Sequence, residues 1–153
     1  MAQKKRIIVI GGSAAGPKSA AKARRIDNDA EVIILQKEAD LSMASCGYPY
    51  YVGGYFDDRN ALLCTPTGVV RNPLFYLNAK DIDARVNTEV TNINTKDHSV
   101  SFTNAVSGET GTLTYDKLII ATGAVPRMPP VPGTDFDGIT TLQSMKDADF
   151  LRK

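Results

Sequence analysis

Apolar residues occur in this chain as short unbroken runs separated by polar turns. The first run, Ile7–Ile10, ends in glycines, and a second, Glu31–Leu35, follows a segment of good helix formers at 17–26. Strands that are apolar on both faces are typical of parallel sheets covered by helices. The pattern therefore predicts a strand, helix and strand unit at the start of the chain.

The turn between this strand and helix has glycine at its first and last positions and serine where a middle glycine is usual. Such a turn presents unpaired N–H groups and a partial positive charge, which favour a pyrophosphate. We predict a dinucleotide site that includes all six turn residues, namely Gly11, Gly12, Ser13, Ala14, Ala15 and Gly16. By itself the motif is equally compatible with a plain tight turn.

The second strand ends at Gln36, where a site of this type normally has an acid that binds the ribose hydroxyls of adenosine. An amide accepts a hydrogen bond but lacks the charge that makes carboxylate contacts about twice as strong. We predict that Gln36 and the neighbouring Lys37 contact the nucleotide, and that the dinucleotide is held more loosely than by an acid.

Later in the chain, Asn72 and Pro73 are typical of a helix start, and this helix is expected to end near Ala79. Strands are predicted at 82–86, 89–94, 99–103 and 111–115, and alternation in the last two indicates an antiparallel meander.

A further buried strand is predicted before Ala121-Thr122-Gly123. Four prolines in 125–133 then mark a stiff linker, and the residues from Thr141 onward begin an amphipathic helix.

Length, charge and cysteine count narrow the classes of function. A chain of 153 residues with a net charge of +1 is long enough for one domain and gives no electrostatic reason to expect nucleic acid or a membrane as partner. The first apolar run is too short for a signal peptide or membrane span, so a cytoplasmic location is expected. We predict no metal site and assign no role to the single histidine, His98.

The two cysteines are too few for a disulfide framework. Cys46 lies among small residues at a possible helix start, where thiolate is favoured, although free cysteines are more often small buried hydrophobes. Cys64 lies in an apolar stretch and is predicted to pack. Because no CxxC pair is present, we do not expect a dithiol mechanism within this motif.

Two motifs occur in order along the chain: the segment 11–18 and Ser42-x-x-x-Cys46-Gly47-Tyr48-Pro49-Tyr50. Together they resemble the amino-terminal part of the coenzyme A disulfide reductase and NADH oxidase family of FAD-dependent pyridine nucleotide-disulfide oxidoreductases. The resemblance extends along essentially the whole chain.

The resemblance implies an α/β, Rossmann-like FAD-binding domain, mostly a parallel sheet with helices and an inserted antiparallel meander. It also implies that this domain is incomplete relative to the family. Residues 1–124 would be the amino-terminal part of the domain. Residues 125–153 would be the proline-rich linker and the start of a helix leading toward an absent NADH domain.

The resemblance also implies roles for individual residues. Cys46 would be the single redox-active cysteine beside the flavin, with Ser42 orienting its sulfur. The backbone at Val90 would lie against the adenine of FAD, and Ala121, Thr122 and Gly123 against the dinucleotide. Coenzyme A contacts in the family match Lys18, Lys22, Arg25 and Ser45.

Three of these residues, Lys18, Lys22 and Arg25, form one basic stripe on the first helix by their spacing. From the residues alone, a solvated charged helix face is an equally good interpretation.

We therefore expect the FAD-binding portion of an NAD(P)H-dependent reductase of coenzyme A disulfide or persulfide. The family's second glycine-rich unit, returning strand and dimerisation domain are not found in this sequence. The chain alone is accordingly expected to be inactive, to hold FAD weakly and to form a homo-oligomer. Two alternatives stay open: an NADH oxidase or peroxidase with a sulfenic acid at Cys46, and a non-catalytic nucleotide-binding or interaction module.

Overall fold

The computed structural model describes residues 4–153, which form two sheets and four α-helices with two short 3₁₀ turns, at Ser45–Gly47 and Arg59–Leu62. The elements follow in the order β1 (Arg6–Ile10), α1 (Ala15–Ile26), β2 (Glu31–Leu35), α2 (Tyr48–Val52), α3 (Pro73–Lys80), β3 (Asp83–Arg85), β4 (Thr88–Asn94), β5 (Ser99–Asn104), β6 (Thr110–Thr114), β7 (Lys117–Ile120) and α4 (Met145–Leu151).

The first sheet is parallel throughout, with strand order β3-β2-β1-β7. Its central strand is apolar on both faces: Ile7 and Val9 pack on the side of α1, and Ile8 and Ile10 pack on the opposite side. This confirms the prediction from the unbroken apolar runs. Because the strands are parallel, the segments that follow β1, β2 and β7 meet at one edge of the sheet.

The second sheet is the antiparallel meander β4-β5-β6, which covers the second face of the parallel sheet through Val100 and its neighbours. The pairing of β4 with β5 shifts between Val90 and Asn92, so Thr91 forms a β-bulge. The predicted meander is confirmed, but the run 82–86 belongs to the parallel sheet as β3.

The first face of the parallel sheet is covered by α1 and α3. Asn72 caps α3 by accepting a hydrogen bond from the Phe75 amide at 2.9 Å, as the sequence predicts. The Arg24 guanidinium links the two helices, since it donates to the Asp81 carbonyl oxygen at 2.6 Å and lies 3.3 Å from the Asp81 carboxylate.

The last helix, α4, packs back onto the chain around Cys46. It begins at Met145 rather than near Thr141 because Ser144 and Asp147 form a reciprocal capping box. A separate apolar cluster surrounds it: Met43, Tyr48, Tyr51, Leu62, Leu63, Met145 and Ala148. The division of the chain near residue 124 stays a prediction. Within residues 4–153, no helix has both the length and the apolar character needed to cross a membrane.

Candidate dinucleotide cleft and cysteine segment

The turn between β1 and α1 requires glycine at both ends. Gly11 has a φ of +105°, and a Cβ on it would overlap the Ala121 carbonyl oxygen; a Cβ on Gly16 would overlap the carbonyl oxygen of Gly11 itself. No side chain caps the amino terminus of α1, and its first turn contains no acidic residue. The amino terminus of α1 therefore carries no side-chain cap and no acidic group that would compete with an anion.

A cleft of about 260 Å³ opens beside this turn at the carboxyl edge of the sheet. Five of the residues predicted for cofactor binding line it: Gly11, Gln36, Lys37, Val90 and Thr122. Its remaining walls are residues that were not predicted from the sequence, namely Ile10, Leu35, Thr88 and Glu89. These four residues line the cleft because of where they lie in the fold: each is at the end of β1 or β2 or beside Val90.

Lys37 and Glu89 form an ion pair in the lining of this cleft, with the Lys37 Nζ 2.8 Å from the Glu89 Oε1. The hydrogen bond and the negative charge of Glu89 raise the pKa of Lys37 above its ordinary value. Both side chains are more than half exposed, so this ion pair contributes little to stability. An anionic ligand at this position would compete with Glu89 for Lys37.

The other predicted cofactor contacts lie around the turn. Ala121 follows β7, and its amide donates to the Ile10 carbonyl oxygen at 2.8 Å. Gly123 has a φ of +71°, and a Cβ on it would meet no other atom within 4 Å, so only its backbone conformation requires glycine. Ser13, Ala14 and Ala15 are exposed, whereas Gly12 is buried.

Cys46 lies in the segment 41–47, which we call the cysteine segment. Its thiol is free and exposed, whereas Cys64 is half-buried and also free. The helix predicted at Cys46 begins as the 3₁₀ turn Ser45–Gly47 and continues into α2. Ser42 takes a φ of +55°, and the Arg71 guanidinium contacts it, donating to its carbonyl oxygen at 3.1 Å.

The cysteine segment is hydrogen-bonded to the glycine turn, because the Ser42 amide donates to the Gly12 carbonyl oxygen at 2.7 Å. The structure thus joins two motifs that lie apart in the sequence. The helix α4 contacts the residues that follow the segment: Asp149 accepts a hydrogen bond from the Tyr51 hydroxyl at 3.1 Å and lies 3.8 Å from Arg59. Arg59 in turn pairs with Asp40 at 2.9 Å.

The predicted basic stripe is exposed along α1. Among the described residues, Lys18, Lys22 and Arg25 form no ion pair within 4 Å, whereas the neighbouring Arg24 is bound to Asp81. Arg25 also lines a second cleft of about 390 Å³ between α1 and the end of α3. Ser45 is exposed next to Cys46. Within residues 4–153, no three His, Cys, Asp or Glu side chains are grouped as metal ligands.

The parallel sheet has helices on one face and a meander on the other, and a glycine turn lies beside a cleft at its edge. This arrangement defines a nucleotide-binding domain of the Rossmann type. The particular family follows from the sequence match over residues 5–153. The chain belongs to the family of pyridine nucleotide-disulphide oxidoreductases. Members of this family depend on FAD and NAD(P)H.

Named relatives give the same assignment. The chain is 37% identical over 145 residues to a coenzyme A disulfide reductase of Staphylococcus haemolyticus, covering 95% of this chain and 31% of that protein. It is 29% identical over 151 residues to an NADH oxidase of Methanocaldococcus jannaschii, covering 97% of this chain and 32% of the oxidase.

Among solved structures, an NAD-dependent persulfide reductase from A. fulgidus matches with a TM-score of 0.89 and 37% identity, over 95% of this chain and 27% of that one. The chain therefore spans about a third of the length of the curated relatives it matches. The Rossmann-like fold expected from the sequence is confirmed.

Proposed function

We propose that this chain is the amino-terminal FAD-binding portion of an NAD(P)H-dependent coenzyme A disulfide or persulfide reductase with Cys46 as its one redox-active cysteine. The observation that carries this proposal is the bond between the Ser42 amide and the Gly12 carbonyl oxygen, since it joins the segment that contains the exposed Cys46 to the glycine turn. The named relatives support the same class of substrate, because they include a coenzyme A disulfide reductase and a persulfide reductase.

The residues around the cleft fit the adenosine and pyrophosphate half of FAD. Gly11, Val90 and Thr122 line the cleft, and the glycines at 11 and 16 let the backbone of the turn close against Ala121 and against itself. When bound, FAD would supply electrons taken from NAD(P)H. Gln36 offers no charge to the ribose, so we expect weak retention of FAD by this chain.

Cys46 performs the step that this chain's own residues can carry out. Its thiolate attacks one sulfur of the substrate disulfide; the substrate S–S bond breaks, a mixed disulfide forms at Cys46, and the other half leaves as a thiolate. This exchange step needs no added oxidant or reductant, because one disulfide bond replaces another. Ser42 and Ser45 both precede Cys46 in the cysteine segment and are proposed to orient its sulfur and the incoming thiol half.

The basic stripe is proposed to bind the phosphates of coenzyme A. Its three side chains are exposed and lie at one-turn intervals along α1, and none is paired with an acid among the described residues. Cationic side chains without a partner are available to a ligand that carries several negative charges.

Mixed-disulfide formation tests the proposed cysteine. Coenzyme A disulfide is added to the purified chain at neutral pH, and the modified peptides are mapped by mass spectrometry. We expect the adduct at Cys46 well before Cys64, because only Cys46 is exposed. Preferential modification of Cys64 would contradict the assignment.

The charge stripe is tested by replacing Lys18, Lys22 and Arg25 with Ala. We expect a slower reaction of Cys46 with coenzyme A disulfide and an unchanged reaction with a small neutral disulfide. A control variant replaces three exposed cations outside α1, Lys96, Lys117 and Arg127, and removes the same net charge. If both triple variants slow the reaction equally, bulk charge rather than the stripe is responsible.

An NADH oxidase or peroxidase is the second candidate. The exposure of Cys46 and the match to the M. jannaschii oxidase favour it. Peroxide would oxidise the thiolate to a sulfenic acid and release hydroxide. Trapping with dimedone after peroxide separates the two, since a reductase of disulfides would instead accumulate the mixed disulfide with coenzyme A.

A further inference from the structure

Gln36 uses both ends of its amide within the protein. Its Oε1 accepts a hydrogen bond from the Gly12 amide at 2.7 Å, and its Nε2 donates to the Asp40 carbonyl oxygen at 3.1 Å. One side chain therefore connects the glycine turn to the loop that leads into the cysteine segment. The same side chain lines the dinucleotide cleft.

Gly12 takes part in both connections. Its N–H is bound by Gln36 and its carbonyl oxygen accepts from the Ser42 amide at 2.7 Å, so each backbone polar group of Gly12 holds a different end of the loop 36–42. A Cβ on Gly12 would lie 2.7 Å from Leu41 Cδ2 and 2.8 Å from Gln36 Cβ. The close approach of the loop is possible only because this residue has no side chain.

The backbone of Gln36 is fixed as well. Its amide donates to the Arg85 carbonyl oxygen at 2.9 Å, and its carbonyl oxygen accepts from Thr88 at 2.8 Å. The amide group of the side chain thus projects from a rigid point at the edge of the sheet. A contact made from such a point restricts the loop it binds.

We propose that Gln36 is a positioning residue that holds the cysteine segment in register with the dinucleotide cleft. The inference rests on the proposed function only in taking Cys46 as the reacting residue. An uncharged amide suits this role because it supplies an acceptor for Gly12 and a donor for Asp40 at once. A carboxylate in its place keeps the first bond and turns the second into repulsion between two oxygens.

Amide hydrogen exchange measured by NMR tests this without substrate or cofactor, so its outcome is independent of the reductase proposal. In Gln36→Met, which has similar volume and no hydrogen-bonding groups, we expect the amide protons of Gly12 and Ser42 to exchange about tenfold faster. Protection of Ile8 and Ile33 in the central strands should not change. The control Lys37→Met alters a neighbouring wall of the same cleft and should leave Gly12 and Ser42 protected.

The isosteric variant Gln36→Glu tests separately the bond to the Gly12 amide and the bond to the Asp40 carbonyl oxygen. It also provides the test if Gln36→Met fails to fold. At neutral pH we expect Gly12 to stay protected and Ser42 to exchange faster. When the introduced carboxyl is protonated, near its ordinary pKa of about 4.3, it regains a donor for the Asp40 carbonyl oxygen. The protection factor of Ser42 should then return toward that of the unsubstituted chain at the same pH, an effect that a general loss of stability cannot produce.

Two results overturn the proposal. Unchanged protection of Ser42 in either variant would show that Gln36 does not hold the segment. Equal loss of protection at Gly12, Ser42 and the central strands would show that Gln36 supports the whole fold and positions nothing in particular.

Discussion

The glycine turn and the cysteine segment lie side by side, but different contacts stabilise them. The turn is set by close backbone approach, with Gly16 against Gly11, and by strands that are buried on both faces. The cysteine segment is held by the Ser42 and Ala44 amides and by packing of Met43 in an apolar cluster. Part of that cluster comes from α4, which lies about a hundred residues further along the chain.

This difference separates what is local in the sequence from what is not. Most of what specifies a turn made by glycines between two apolar runs lies within some thirty residues, and the contact of Gly11 with Ala121 is its distant part. The environment of Cys46 depends on the packing of Met145 and Ala148 against Tyr48 and Tyr51. No local sequence pattern predicts that packing. Substitutions in the two regions should therefore differ in how far their effects spread.

The largest effect is expected for Gly16→Ala. The added methyl would overlap the Gly11 carbonyl oxygen, which is backbone and cannot move without displacing β1. We expect a loss of about 3 kcal/mol in the free energy of unfolding, at the upper end of the range for overpacking. Urea denaturation followed by circular dichroism measures it.

The matched control is Gly53→Ala, at a glycine with a φ of −74° whose nearest neighbour to a Cβ is 3.1 Å away. This change should cost less than about 1 kcal/mol, since it requires only a small local shift. Equal losses in the two variants would mean that the turn has no special requirement for glycine.

The parallel sheet and meander followed from the sequence because their signals are short-range. Unbroken apolar runs predict β1, β2 and β7, and alternation predicts β5 and β6, as the structure confirms. The boundary error at Thr141 has a local cause too, since Ser144 rather than Thr141 caps the helix.

The candidate site was only partly predictable. Gly11, Gln36 and Val90, which the sequence predicts as cofactor contacts, line the cleft, but the ion pair of Lys37 with Glu89 joins residues that are far apart in sequence. The docking of α4 could not be predicted from the sequence either, because it too depends on contacts between residues far apart in the chain. The prolines before it indicate only a linker and give no direction for the helix that follows.

The second largest loss of stability is expected for a substitution in α4. Met145→Ala removes a side chain that is 5% exposed from the cluster beneath the cysteine segment, and we expect a loss of about 2 kcal/mol. The loss should be local: the Ala44 amide, which donates to Leu62, should exchange faster, whereas Ile33 in β2 should not.

Lys146→Ala is the control for this variant, because that side chain is 84% exposed and its pair with Glu38 spans 3.5 Å. It should change stability by less than about 0.5 kcal/mol. If Met145→Ala instead exposes the central sheet to exchange, the two regions form one cooperative unit and the comparison fails.

The two regions also differ in what covers them. Beyond β7, no strand pairs with the sheet among the described residues, and Ile120 is 63% exposed there, whereas the cysteine segment is covered by α4. We expect the chain to associate through the β7 edge, since unpaired strands with apolar side chains promote pairing between copies.

Ile120→Lys should weaken this association several-fold in analytical ultracentrifugation because it adds a charge to the edge. Phe150→Lys, at a 47% exposed position on α4, is the control and should leave the association unchanged. A purely monomeric chain at high concentration, or a larger effect of the Phe150 substitution, would contradict this prediction.

The smallest effect is a loss of α4 docking in acid. Partial burial alone would raise the pKa of Asp147, but hydrogen bonds from the Gln143 and Ser144 amides and from the Ser144 and Thr141 hydroxyls outweigh it and hold that pKa below its ordinary value. A carboxyl whose pKa is lower in the folded state stabilises fully above the unfolded value, about 3.9, and this contribution disappears as pH falls through the folded value. In wild type, protection of the Ala148 amide should therefore decrease below about pH 4.

Asp147→Asn should remove this pH dependence and leave α4 less protected at neutral pH, while the β1 amides stay protected throughout. Asp137→Asn, at an exposed position before the helix, is the matched control and should behave as wild type. If wild type and Asp147→Asn lose protection at Ala148 over the same pH range, the capping carboxylate does not govern the docking. The support of the cysteine segment by α4 would then depend on the apolar cluster and on the polar contacts of Asp149 and Arg152 with Tyr51.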